Sequence, residues 1–128
     1  MSRENVEVVR RGHAAWERGD LEEALAGFDE AVVIRPIIGP TWHGREGLLG
    51  MAADWTEGLE DWTMAAEEFI DAGDHVVVRV HQTGLGEASG VPITSDYWFV
   101  YTVHDGKAVR LDMYADRNEA LEAVGLSE

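Results

Sequence analysis

In "HVVVRVHQTG", residues 75–84, an arginine and a histidine stand two apart, at Arg79 and His81. Alternate residues of a β-strand point to one face, so these two side chains share an environment. Facing a pocket, His81 is a candidate general base that titrates near working pH, and Arg79 a candidate stabiliser of an oxyanion or holder of a ligand carboxylate. On a solvated or subunit-facing surface they are an ordinary polar pair of an acidic protein. Glu68 is placed to orient His81 or to neutralise Arg79, the salt bridge being the simpler role.

Arg35, between Ile34 and Pro36, needs a carboxylate partner, either from the protein or from an anionic ligand at a pocket mouth. His13 falls on an apolar helical stripe, as a hydrogen-bonded core histidine or a pocket residue, and His43 in "TWHGRE" either caps a helix or lines an entrance. Trp16, Trp55, Trp62 and Trp98 occupy expected buried faces, where aromatic walls with few polar groups describe small-molecule sites generally. The expected ligand contacts are Trp16, Arg35, Trp55, Trp98, Met113 and His13, beside Arg79 and His81 as the catalytic candidates. No histidine pair has helical zinc spacing, and "GLGEASG" opens no helix that would hold phosphate, so neither a metal nor a cofactor is expected.

The elements that must position these groups are legible. Val6, Val9, His13 and Trp16 recur at spacings of three and four, predicting a helix from Ser2 that Gly19 ends. Asp20 and Glu23 make a capping-box pattern for a second helix burying Leu21, Ala24, Leu25 and Phe28. "AVVIRPII", 31–38, predicts a strand that Pro36 confines to an edge, bulge or end. A third helix is expected over 45–59, with Gly47 and Gly50 each weakening it by about 1 kcal/mol. From Trp62 to Ala115, turn signals separate four strands of a meander. Asp105-Gly106 suits a two-residue type I′ hairpin. That turn pairs Trp98 with Met113, Val100 with Leu111 and Thr102 with Val109. Tyr97, Phe99, Tyr101, Arg110, Asp112 and Tyr114 then share the opposite face, from which a homodimer through that surface is expected.

Composition removes whole classes of function. Ten basic residues against 25 acidic leave a formal charge of −15, and Lys107 is the only lysine. Nucleic acid and anionic membrane surfaces are therefore poor partners. The absence of cysteine excludes thiolate chemistry, disulfides and cysteine-held metals. The charged start "MSRENVEVVRRGH" and the lack of an apolar run near ~18 residues make a cytoplasmic protein the expectation.

Taken in order, "WERGDLEEAL", "HGREGL", "DAGDHVVVRVHQTG" and "DGKAVRLDMYADRNEALEAVGL" resemble the SnoaL-like superfamily, which includes nuclear transport factor 2, ketosteroid isomerase and limonene epoxide hydrolase. The resemblance covers nearly all of residues 1–128, as a single domain. It implies an α+β cone: N-terminal helices in the concave face of a curved, mainly antiparallel sheet, a short C-terminal helix, a deep pocket, and frequent dimerisation through the outer sheet face. Of the catalytic groups of these enzymes, the hydrolase arginine is matched and the acids are not. Gly12 stands at the isomerase tyrosine and Arg35 at its aspartate; Arg79 and His81 stand at the hydrolase Arg-x-Asp pair, and Met113 at its last acid, with Asp112 on the other face.

The expected function is therefore binding of a small, largely apolar molecule with a carbonyl or carboxylate. Any catalysis would be cofactor-free isomerase, cyclase or hydrolase chemistry. A non-catalytic binder and a protein-interaction module working through the outer face are the alternatives.

Overall fold

The computed structural model describes residues 2–126. Helix α1 (Ser2–Glu17) ends where Gly19 takes a positive φ of 79°, and Asp20 N–H donates to the Ala15 carbonyl at 2.9 Å. The Asp20 carboxylate then accepts from Glu23 N–H and starts α2 (Leu21–Ala26). Strand β1 (Phe28–Arg35) begins three residues earlier than its β-branched run and stops at Pro36. A two-residue strand β2 (Trp42–His43) leads into α3 (Gly44–Thr56). Strands β3 (Leu59–Ala72), β4 (His75–Gly86), β5 (Pro92–His104) and β6 (Lys107–Tyr114) follow, and α4 (Arg117–Ala123) closes the fold, capped by the Asp116 carboxylate.

The strands make one curved six-stranded sheet in the order β2-β1-β6-β5-β4-β3. All neighbours are antiparallel except β1 and β6. Gly47 and Gly50, which would weaken an isolated helix, have a packing reason. A Cβ on Gly50 would lie 3.0 Å from the Trp42 ring, and one on Gly47 3.3 Å from the Trp42 Cβ, so the missing side chains let α3 sit on Trp42. Among the described residues no helix is long and apolar enough to cross a membrane.

Alternation divides the sheet between two clusters. Val76, Val78 and Val80 of β4, Phe99, Tyr101 and Val103 of β5, and Leu111 and Met113 of β6 meet α1 and α3 on the concave side. Each such apolar side chain contributes about 1.5–3 kcal/mol on burial. Val77 and Val100 point the other way and pack with Trp98, Tyr114 and Ala120 of α4.

Asp105 and Gly106 have φ of 50° and 76° and form the expected two-residue turn, flanked by His104 paired with Lys107. The register beyond it differs from the expectation by one residue. After Val103 pairs with Ala108 the ladder shifts, so that Thr102 meets Arg110, Tyr101 meets Leu111, Phe99 meets Met113 and Trp98 meets Tyr114. Val109 is the extra residue of a β-bulge, which puts Ala108 and Leu111, three apart, in the same cluster. Two expectations fall with this shift. Trp98 lies on the outer face, not on a pocket wall. The proposed dimer surface is not one surface: Tyr97, Phe99 and Tyr101 face the helices, whereas Arg110, Asp112 and Tyr114 face outward with Trp98.

Candidate functional site: an apolar cavity with one polar pair

Between α1, α3 and the concave face lies a cavity that admits water-sized spheres through about 100 Å³. Its walls are almost wholly apolar and include Trp16, Trp55, Trp62, Phe99 and Met113. Leaving the indoles aside, the polar side chains lining it are His13 and Tyr101, and none of its lining residues is charged.

The helical stripe delivers His13 from α1, and the β5 alternation delivers Tyr101 from below. His13 Nε2 and the Tyr101 hydroxyl are 2.8 Å apart. Edge-on contacts of the His13 ring with Phe69 and Tyr101, at centroid distances of 6.0 and 5.5 Å, hold its orientation. Burial pushes the His13 pKa down to about 4 and raises that of Tyr101, because the apolar surroundings penalise imidazolium and phenolate alike. Both groups are neutral at pH 7. One proton lies between the two groups, so the tautomer of His13 decides which of them donates.

Gln82 is buried and hydrogen-bonds two of the cavity's wall residues. Its Oε1 accepts from both Trp55 Nε1 and Trp62 Nε1 at 2.8 Å, and its Nε2 donates to Ser95 Oγ at 3.0 Å and Tyr97 Oη at 3.4 Å. One amide thereby satisfies two indoles and leaves them to act as apolar walls. Gln82 continues the Val76, Val78, Val80 alternation, which is the signal that would have placed it inside.

His13, Trp16, Trp55 and Met113 line the cavity, as the sequence suggested; Arg35, Trp98, Arg79 and His81 do not. Arg79 and His81 alternate with the buried valines and fall on the outer face. Arg79 Nη1 lies 2.8 Å from Glu67 and 3.6 Å from Asp96, and its Nε 3.7 Å from Glu68. Both glutamates reach it because the β3–β4 register shifts between Ala66 and Glu68, turning consecutive side chains toward one partner. Glu68 also pairs with Arg117 at 3.0 Å. His81 Nδ1 is 2.6 Å from Asp96 Oδ1 and its Nε2 3.1 Å from Thr94 Oγ1. Glu67, His81 and Asp96 bring potential ligand atoms within 4.8 Å of one another, but the Arg79 guanidinium already stands against both carboxylates.

Arg35 finds its carboxylate within the protein. The parallel pairing sets it beside Asp112, to which Nε donates at 2.8 Å, while Nη2 donates to the Tyr114 hydroxyl at 2.8 Å. The Asp112 hydrogen bond is the main reason its pKa is raised. Arg110 holds the other Asp112 oxygen at 2.8 Å. His43 occupies the position before α3 but makes no side-chain cap, and it is exposed. His75 is half-buried against Thr102.

An α+β cone with helices in a curved sheet and an apolar cavity between them is the architecture of the SnoaL-like proteins. The SnoaL-like domain model matches residues 9–111, and the chain belongs to that family. Its structure is similar to TerC co-crystallised with polyporic acid, at 26% identity and a TM-score of 0.77, over 94% of this chain and 98% of that one. It is also similar to a putative SnoaL-like polyketide cyclase from Jannaschia sp. CCS1, at 20% identity and a TM-score of 0.77, over 99% and 95% of the two chains. A protein of ketosteroid isomerase-like fold from Catenulispora acidiphila DSM 44928, in complex with trimethylamine, matches at 21% identity and a TM-score of 0.72, over 94% and 93%. No protein of curated function matches the chain.

Proposed function

We propose that this chain, as a single SnoaL-like domain, binds a small, flat, uncharged molecule whose carbonyl or hydroxyl meets His13 and Tyr101. The observation that carries this reading is the neutral His13–Tyr101 pair set in an otherwise apolar cavity. The carboxylate alternative loses its support, because Arg35 and Arg79 are both spent on protein carboxylates outside the cavity. With its proton on Nε2, His13 donates to Tyr101 and frees the phenol proton for a ligand carbonyl. With its proton on Nδ1, it accepts from Tyr101. In the first arrangement the phenol O–H is the donor that would polarise the carbonyl of an enolisable ligand, the start of a cofactor-free enolisation. The cytoplasm remains the proposed setting. Arg110 and Tyr114 on the outer face remain the proposed homodimer contacts.

The probe we choose is 1,4-naphthoquinone, a flat neutral dicarbonyl that quenches tryptophan fluorescence; the chain has no thiol for it to alkylate. Saturable quenching is expected in the parent protein. Gly12 lines the cavity, and a Cβ built there meets nothing within 4 Å, so Gly12→Phe has room to fill the space and should abolish saturation. Tyr101→Phe should weaken quinone binding by about 3–10-fold, the worth of one hydrogen bond, and leave naphthalene binding unchanged. Equal binding by Gly12→Phe, or 2-naphthoate held as tightly as the quinone, would defeat the reading.

A further inference from the structure

The cavity shares wall residues with an outer depression, and an irregularity in the sheet positions one of them. Along β3, Glu60 pairs with Leu85 and Thr63 with Thr83, so Asp61 and Trp62 together oppose Gly84. This is a β-bulge, and Asp61 within it has φ of 51°, a left-handed conformation that L residues seldom adopt. Bulges beside functional sites re-aim a side chain, and here the re-aimed side chain is Trp62. Its backbone and ring lie over Gly84, where a Cβ would sit 3.6 Å from Trp62 Cα and 3.7 Å from Cδ1. Its Nε1 is tethered to Gln82, and its ring meets Trp16 edge-to-face at a centroid distance of 6.3 Å. Trp16, Trp62 and Ala52 line the inner cavity and also an outer depression bounded by Ala53, Thr56 and Leu59. They are the residues common to both spaces.

We propose that Trp62, aimed by the Asp61 bulge and tethered by Gln82, is with Trp16 the neck through which ligand passes, and that it sets entry and release rates. This rests on the reading of the cavity as a ligand site. A wall residue contributes to affinity through dissociation alone; a neck slows entry and exit together. The fixed indole restricts passage to flat molecules able to slip past two edge-to-face rings. Swinging it aside requires breaking the Gln82 hydrogen bond.

Stopped-flow fluorescence with 1,4-naphthoquinone separates the two roles. Trp62→Ala is expected to raise association and dissociation rates at least fivefold each, with Kd moving less than threefold. Trp62→Phe, which keeps a ring without the tether, should raise both rates by a smaller factor and covers the case in which the alanine variant does not fold. Rates within twofold of the parent in the folded variants, or a faster dissociation with unchanged association, overturn the neck. The Gly12→Phe control tells the two failures apart. If it still shows saturable quenching, the cavity reading is wrong and the neck falls with it; if it loses saturation while the Trp62 variants keep parental rates, only the neck is wrong.

Discussion

Strand β4 offers both kinds of surface in neighbouring residues. Val76, Val78, Val80 and Gln82 face the helices, while Val77, Arg79, His81 and Thr83 face outward. Two histidine sites show what that costs each side. His13, in the cavity, has a tyrosine hydroxyl as its polar partner, and burial holds it neutral. His81, on the outer face, stands in a ring of carboxylates, hydroxyls and guanidinium, with its side chain 37% exposed. A dry pair of this kind suits uncharged ligands; the outer charges are already paired with one another within the protein. The side chains best equipped for charge chemistry are therefore on the opposite side of the sheet from the space that could hold a substrate.

The largest effect should come from moving charge to the dry face. Val78 is fully buried, and Val78→Asp would place a carboxylate in the apolar cluster with Phe99, Phe69 and their neighbours. A loss of about 4–5 kcal/mol is expected, in the range that separates buried unpaired charge from ordinary substitutions. For a domain of this size that approaches complete unfolding, visible as a collapse of the urea midpoint. A loss below about 1 kcal/mol would mean that the concave face is wetter than described.

The next effect is a pH dependence carried by His13. Its folded pKa, about 4, lies below the ordinary 6.5, so the unfolded chain binds the proton more readily between those values. Stability from this group is therefore fully present above about pH 6.5 and is lost as pH falls through 4, by about 3 kcal/mol if the whole shift is expressed. Urea unfolding of the parent at pH 7 and pH 4.5, set against His13→Leu, isolates the contribution. The variant should show a shallower decline across that window. Parallel curves would remove His13 as the source and leave the carboxylates responsible.

How much of this could be read from residues alone depended on whether a local signal existed. Gly19, Asp20 and the Asp105-Gly106 turn each have a chemistry that forces a boundary, and each boundary stands where that chemistry puts it. The Val109 bulge has no such chemistry. "KAVRLDMY" offers apolar residues at 108, 109, 111 and 113, so alternation permits two registers, and the pairing inferred from the turn exchanged the faces of Trp98 and Phe99. The turn-based register makes Tyr101 a dimer contact, whereas it is half of the cavity's polar pair. Arg79 and His81 were decidable in principle: three valines and Gln82 alternate on one side of β4, and the pair belongs with the other. The valines, and not the acid-base residue types, mark which face of β4 is buried.

The smallest effect should come from the pair that looked most chemical. Arg79→Ala removes one cation from a cluster in which Glu68 keeps Arg117 and Asp96 keeps His81. The Arg79 side chain is 32% exposed, and its ion pairs lie at a solvated surface, so the expected loss is below about 1 kcal/mol and should shrink further in high salt. The same variant should bind 1,4-naphthoquinone with the parental Kd, since the guanidinium lies across the sheet from the cavity. A tenfold change in that Kd with stability intact would mean that the two faces communicate through β4. The separation between dry site and charged surface would then be a coupling, with the alternating valines as its carrier.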